Sequence, residues 1–164
     1  MNRPRASVSM KLLGWLLIVT AVGTLLYWLD FFLAGTVDVV NDDWYLTFQR
    51  AFPAADAWMA ACALIAGAGF LCGPKTPLSA GARRAEGDGD GVLRMPRTYP
   101  PWASRFSLLA GSSMVFLALL DITFNLGNGL YAYVSSSPEM GTEAVINLWT
   151  LSVGSIAIIV GWRG

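Results

Sequence analysis

The chain has 164 residues, 55% of them hydrophobic and 13% charged, with a mean hydropathy of +0.52 and a formal net charge of zero. Soluble domains carry about a quarter charged residues, so this composition excludes a water-soluble globule and points to an integral membrane protein. The absence of histidine excludes a histidine haem ligand, a HExxH zinc site and a Ser-His-Asp triad; there is no P-loop, and no cofactor or nucleic-acid partner is expected.

The hydrophobic runs predict an all-α polytopic membrane protein, a single domain over 1–164 with transmembrane helices at about 12–34, 55–73, 104–130 and 143–162. Each is close to the roughly 20 residues that cross about 30 Å of hydrocarbon. The first span follows a basic stretch, Met1 to Lys11, as a signal peptide would. Its apolar run is longer than a signal h-region and no clear small-x-small cleavage site follows, so a retained helix is expected. Near its far end Thr20, Thr24 and Tyr27 form a polar face, and Asp30 falls close to the interface.

In the loop after the first span, Asn41 can cap a short helix whose first turn holds Asp42 and Asp43. Trp44, Phe48, Ala51 and Phe52 give it an apolar face and Arg50 stands near its end, the pattern of a helix lying at the membrane interface. Pro53 ends that helix and opens the second span, with Asp56 in its first turn. Ala60, Ala63 and Gly67 form a small-residue face suited to close helix packing. Cys62 and Cys72 have neither redox-pair nor metal-ligand spacing.

Residues 74–101 are rich in Gly, Pro and charge and predict a flexible cytoplasmic linker between two helical hairpins. Glu86, Asp88, Asp90 and Gly91 copy the opening of a calcium loop, but Arg97 stands where the bidentate Glu belongs, so no calcium site is expected. Orientation follows from the bases. Of eleven Lys and Arg, only Arg50 lies in a loop on the far side, whereas Asp38, Asp42, Asp43, Glu139 and Glu143 all do. The positive-inside rule then puts both termini and the linker in the cytoplasm. Trp15, Trp102 and Trp162 fall near the inner boundary and Trp28, Trp44 and Trp58 near the outer one, as an aromatic belt would.

The third and fourth spans carry the chemistry. Asp121, Asn125 and Asn128 share one face of the third, and Glu143, Asn147 and Thr150 repeat the spacing on the fourth. As antiparallel neighbours these stripes pair Asp121 with Thr150, Asn125 with Asn147 and Asn128 with Glu143. Amides and hydroxyls at such a seam can simply hold helices together, each contact worth about 0.6 kcal/mol. Asp121 asks for more, because insertion of an Asp near the bilayer centre costs about 2.5–3.5 kcal/mol. It must stay protonated, meet a cation or face water, and Arg50 is the one outward-side base able to serve as counter-ion. Tyr27, Tyr45 and Tyr131 either line a vestibule there or are ordinary interfacial tyrosines.

Three segments, AFPAADAWMA (Ala51 to Ala60), LDITFNLGNGLY (Leu120 to Tyr131) and EAVINLWTLSVG (Glu143 to Gly154), resemble uncharacterised bacterial four-helix membrane proteins with AFPxAD-like and FNLxNGxY-like segments. That group has no established activity, so the resemblance implies the fold and a bacterial inner membrane but no reaction.

Three functions fit these residues. One is an outward-facing polar pocket that binds a cation, proton or small polar ligand through Asp121, Asn125, Asn128, Glu143, Asn147, Thr150, Asp30, Arg50 and Tyr27. Another is a membrane-embedded enzyme that uses Asp121 or Glu143 as general acid or base on a lipid-like substrate. The last is a structural subunit that binds only the bilayer and a membrane-protein partner. A wet cavity beside Asp121, a lipid-side cleft and a closed interface would respectively mark the three.

Overall fold

A computed structural model describes residues 5–35, 43–72 and 99–163. It is helical throughout, with no strand among the described residues, and four of its helices are long and apolar enough to cross a membrane. The spanning helices are α1 (Arg5–Leu33), α3 (Pro53–Cys72), α4 (Pro101–Gly127) and α5 (Pro138–Arg163); α2 (Asp43–Gln49) and a 3-10 turn (Leu130–Tyr133) sit at the acidic end. Asn41, Asp42, the calcium-loop mimic and the linker as far as residue 98 lie outside the described residues.

Prolines set three of the helix starts. Pro53, Pro101 and Pro138 each occupy the first helical position, where the missing N–H would have no intrahelical partner anyway. At α5, Ser137 Oγ accepts from Met140 N–H at 3.2 Å, a side-chain cap that fixes the start a turn before Glu143. The fourth helix therefore begins at 138 rather than 143, because Ser-Pro is a stronger start signal than hydropathy. Glycines make the turns. Gly35 (φ 65°) and Gly129 (φ 69°) adopt the left-handed conformation that closes α1 and turns the chain into the 3-10 segment.

The helices pack in chain order. α1 lies along α3, α3 along α4 and α4 along α5, while α1 and α5 touch only lightly, so the ring of four stays open along one side. Small residues bring the closed seams together. A Cβ on Gly67 would stand 2.8 Å from the Gly14 carbonyl oxygen, and one on Gly111 would stand 2.7 Å from that of Gly154. Ala60 and Ala63 are buried on the face of α3 that also carries Gly67, as helix packing in lipid requires. Ser107 Oγ donates to the Ala157 carbonyl at 2.9 Å across the α4–α5 seam.

α2 differs from an interfacial helix in one respect. Trp44 is half exposed and Phe48 stacks on Phe124 with centroids 3.5 Å apart, but the adjacent face, Tyr45 and Gln49, is buried in the bundle. The helix is a plug on the acidic end. Trp28 also departs from the aromatic belt: it is 8% exposed, turned inward to donate to Asp56.

The α4–α5 seam makes a stability test. Gly111→Ala must push α5 away and is expected to destabilise the protein by about 1–3 kcal/mol in detergent unfolding. Gly127→Ala, whose Cβ meets nothing within 4 Å, should stay within about 0.5 kcal/mol of wild type. Equal effects from the two would show that the seam is not tightly packed.

Candidate functional site

At the acidic end, side chains from α2, α4, α5 and the 3-10 turn form one hydrogen-bonded chain. Asn125, 0% exposed, is its centre: Nδ2 donates to Glu143 Oε1 at 2.6 Å and to Asp121 Oδ2 at 3.1 Å. Asn147 Nδ2 donates to Asp121 Oδ2 at 2.6 Å and to the Tyr131 hydroxyl at 3.2 Å. The Tyr45 hydroxyl donates to Glu143 Oε2 at 2.9 Å and accepts from Gln49 Nε2 at 3.0 Å. Two acids thus share neutral donors. Asn125 Oδ1 is buried with no hydrogen-bond partner. Burial pushes the Tyr131 phenol up from its ordinary value, against the bonds from Asn147 and Asn125, so it stays neutral at physiological pH.

The expected seam exists in a shifted register. Asn125 meets Glu143 and Asp121 meets Asn147, so each residue of α4 pairs one rung away from its expected partner. The extra turn at the start of α5 carries Glu143 deeper, past the level of Asn128. Since α4 ends at Gly127, Asn128 is left as its exposed cap and donates to the Phe124 carbonyl at 2.8 Å. Thr150 bonds the Ile146 carbonyl at 2.8 Å and contributes only its flank to the cavity described below.

Arg50 is not the counter-ion. It is exposed in the turn after α2, because the face of α2 that points inward carries Tyr45 and Gln49. Among the described residues no Lys or Arg acts on either acid. Asp30 is half-buried near the end of α1, where its carbonyl accepts from Ala34 and Gly35, and it does not line the cavity. Tyr27 does line it, edge-on to Trp28 at 5.4 Å.

Between α1 and α5 lies a cavity of about 390 Å³. Asp56, Asp121, Glu143 and Asn147 form its polar end, and Met59, Leu117 and Ala118 lie along its back wall. Its rim is apolar and faces outward, with Val19 55% and Val145 67% exposed. Trp149 Nε1 donates to Thr20 Oγ1 at 2.9 Å, bridging α1 and α5 deeper in the bundle. By position in the helices this bridge is near the middle of the span, so the rim opens sideways at the depth of lipid chains. A second depression, of about 530 Å³ beside Phe48, Phe116 and Phe124, is shallow and lies on the outer face of α4.

Asp56, Gln49, Trp28 and Trp149 complete the site without standing in either polar stripe. Gln49 could have been found from its helical spacing to Tyr45; Asp56 was visible as an acid but as a helix-opening one, which is the commoner use. No group of three His, Cys, Asp or Glu able to hold a metal occurs among the described residues. Comparison with protein-family models, curated proteins and solved structures found no match to the chain.

Asn125 should be the most sensitive amide here. Asn125→Ala strips a donor from both acids and is expected to cost about 1–3 kcal/mol in thermal or denaturant unfolding. Asn128→Ala removes one exposed local bond and should stay within about 0.5 kcal/mol of wild type. A smaller loss at 125 than at 128 would show that the cluster is not held through Asn125.

Proposed function

We propose that this is a multi-pass protein of a bacterial inner membrane that binds an amphipathic small molecule in the cleft between α1 and α5. What carries the reading is that one cavity joins an acid-lined polar end to an apolar rim facing the lipid chains. A molecule held there keeps its polar head among the carboxylates and its body along the apolar wall, and reaches the site from the bilayer. This narrows the small polar ligand of the sequence reading to one with an apolar part. A purely structural subunit would have no use for the cavity.

The orientation rests on charge. With α1, α3, α4 and α5 alternating in direction, the end that receives ten of the eleven bases is assigned to the cytoplasm together with both termini. The acids then lie in the outer half of the bilayer. The three segments that resemble bacterial four-helix proteins support the inner-membrane assignment.

Catalysis on a lipid-like substrate is the second reading, favoured by two features: the cleft opens on the apolar side, the mark expected of the enzyme, and Asp121 and Glu143 both face it while sharing the Asn125 amide. Paired acids of that kind can divide the work of a general acid and a general base. Turnover abolished in Asp121→Asn with binding retained would distinguish the enzyme from the binding protein.

Gly23 offers the direct test of binding. It lines the cleft and a Cβ there meets no atom within 4 Å, so Gly23→Trp can fill the cleft while leaving the helix seams intact. A molecule copurifying from native membranes with the wild-type chain and missing from Gly23→Trp is expected. Identical copurifying lipids in the two, by mass spectrometry, would contradict binding in the cleft. For orientation, a Cys introduced at Ser79, in a chain whose Cys72 is replaced by Ser, should react with an impermeant thiol reagent only after the cells are opened. Labelling in intact cells would invert the assignment.

A further inference from the structure

We infer that the head of the bound molecule is an organic cation, an ammonium carried on an apolar body; this rests on the proposed binding of an amphiphile in the cleft. Three carboxylates, Asp56, Asp121 and Glu143, line the cavity, and among the described residues no Lys or Arg does.

The two aspartates carry their bonds from neutral donors on one oxygen each, and Asp121 also lies within hydrogen-bonding reach of the Glu143 carboxyl. Both amide bonds to Asp121, from Asn125 and Asn147, fall on Oδ2, and the Trp28 indole bond to Asp56, at 2.8 Å, also falls on Oδ2. Each therefore keeps an oxygen, Oδ1, to which no amide, hydroxyl or indole of the described residues donates. A ligand that complements this end must donate hydrogen bonds, which an ammonium does with three N–H groups and an anionic head cannot.

Charge then selects among donors. Around an ionised acid in a medium less polar than water, a positive head is attracted and a negative one repelled far more strongly than in bulk solvent. The aromatic rings on the cavity wall act in the same direction, since the Tyr27, Trp28 and Trp149 faces attract a cation within about 6 Å. A bare metal ion fits less well. The described residues supply no group of three ligating side chains, and most of the cavity wall is apolar surface that only a carbon body would cover.

The test uses the full chain in nanodiscs of zwitterionic lipid at neutral pH, with three probes of one shape: 4-phenylbutylammonium, 4-phenylbutanol and 4-phenylbutyrate. Binding is read from the rise in melting temperature with concentration. The ammonium is expected to bind about tenfold or more tighter than the alcohol, with no shift from the carboxylate. Asp56→Asn and Asp121→Asn, which keep shape and remove charge, should each bring the ammonium down towards the alcohol while leaving the affinity of the alcohol unchanged. If ammonium and alcohol bind alike to the wild-type protein and both are lost in Gly23→Trp, the cationic head is overturned and the amphiphile cleft stands. If none of the three shifts the melting temperature, or if Gly23→Trp binds them all as wild type does, the cleft itself fails and the cation with it.

Discussion

Everything at the acidic end of this bundle follows from placing Asp121 and Glu143 side by side within membrane-spanning helices, with no base among the described residues to pair them. An unpaired carboxylate in hydrocarbon is costly, and two together are more so. The bundle offsets this with oriented neutral donors: one amide of Asn125 between the acids, a second from Asn147 and a phenol from Tyr45. These bonds satisfy Glu143 at both oxygens but Asp121 at only one. Both acids face the cleft together with Asp56, and Asp121 is the one of the pair with an oxygen that these bonds leave open.

The rest of the fold is arranged around that cluster. α2 is too short to be a stable helix in isolation, yet Tyr45, 1% exposed, and Gln49 anchor it to Glu143 while Phe48 stacks on Phe124. It closes the cluster off from water at the end of the bundle. The 3-10 turn brings Tyr131 to Asn147 from the other side. Below, glycine contacts lock α1 to α3 and α4 to α5 at backbone distance, so the lightly packed α1–α5 side is left as the open side of the ring, where the cavity lies. An opening on the apolar side and a plug over the acidic end are thus two consequences of one packing pattern.

Hydropathy made the four spans readable because an apolar run of about 20 residues has few other uses. Asp121, Asn125, Glu143 and Asn147 were readable as one seam for a related reason, since polar residues at helical spacing in lipid must face protein. The register was not, because it depends on where α5 begins, and Ser137 with Pro138 sets that start in a stretch with no hydropathy signal. Arg50 and Asn128 were drawn into the site by charge and spacing alone; the rotation of α2 turns one to solvent and the end of α4 leaves the other as a cap. Asp56 and Trp28 went unnoticed as a pair because 28 positions separate them in sequence and only the packing of α1 on α3 joins them.

The central claim is that the α1–α5 cleft opens to lipid while its polar end is sealed from outer water. Collision measurements on a nitroxide at Gly23→Cys, with Cys72 replaced by Ser and the protein in lipid bilayers, test it most directly. The account predicts frequent collisions with oxygen, which concentrates in the hydrocarbon, and few with a water-soluble nickel chelate. Frequent collisions with the chelate would mean a water-filled pocket, and few with either would mean a closed interface; each result would contradict a cleft that opens to lipid.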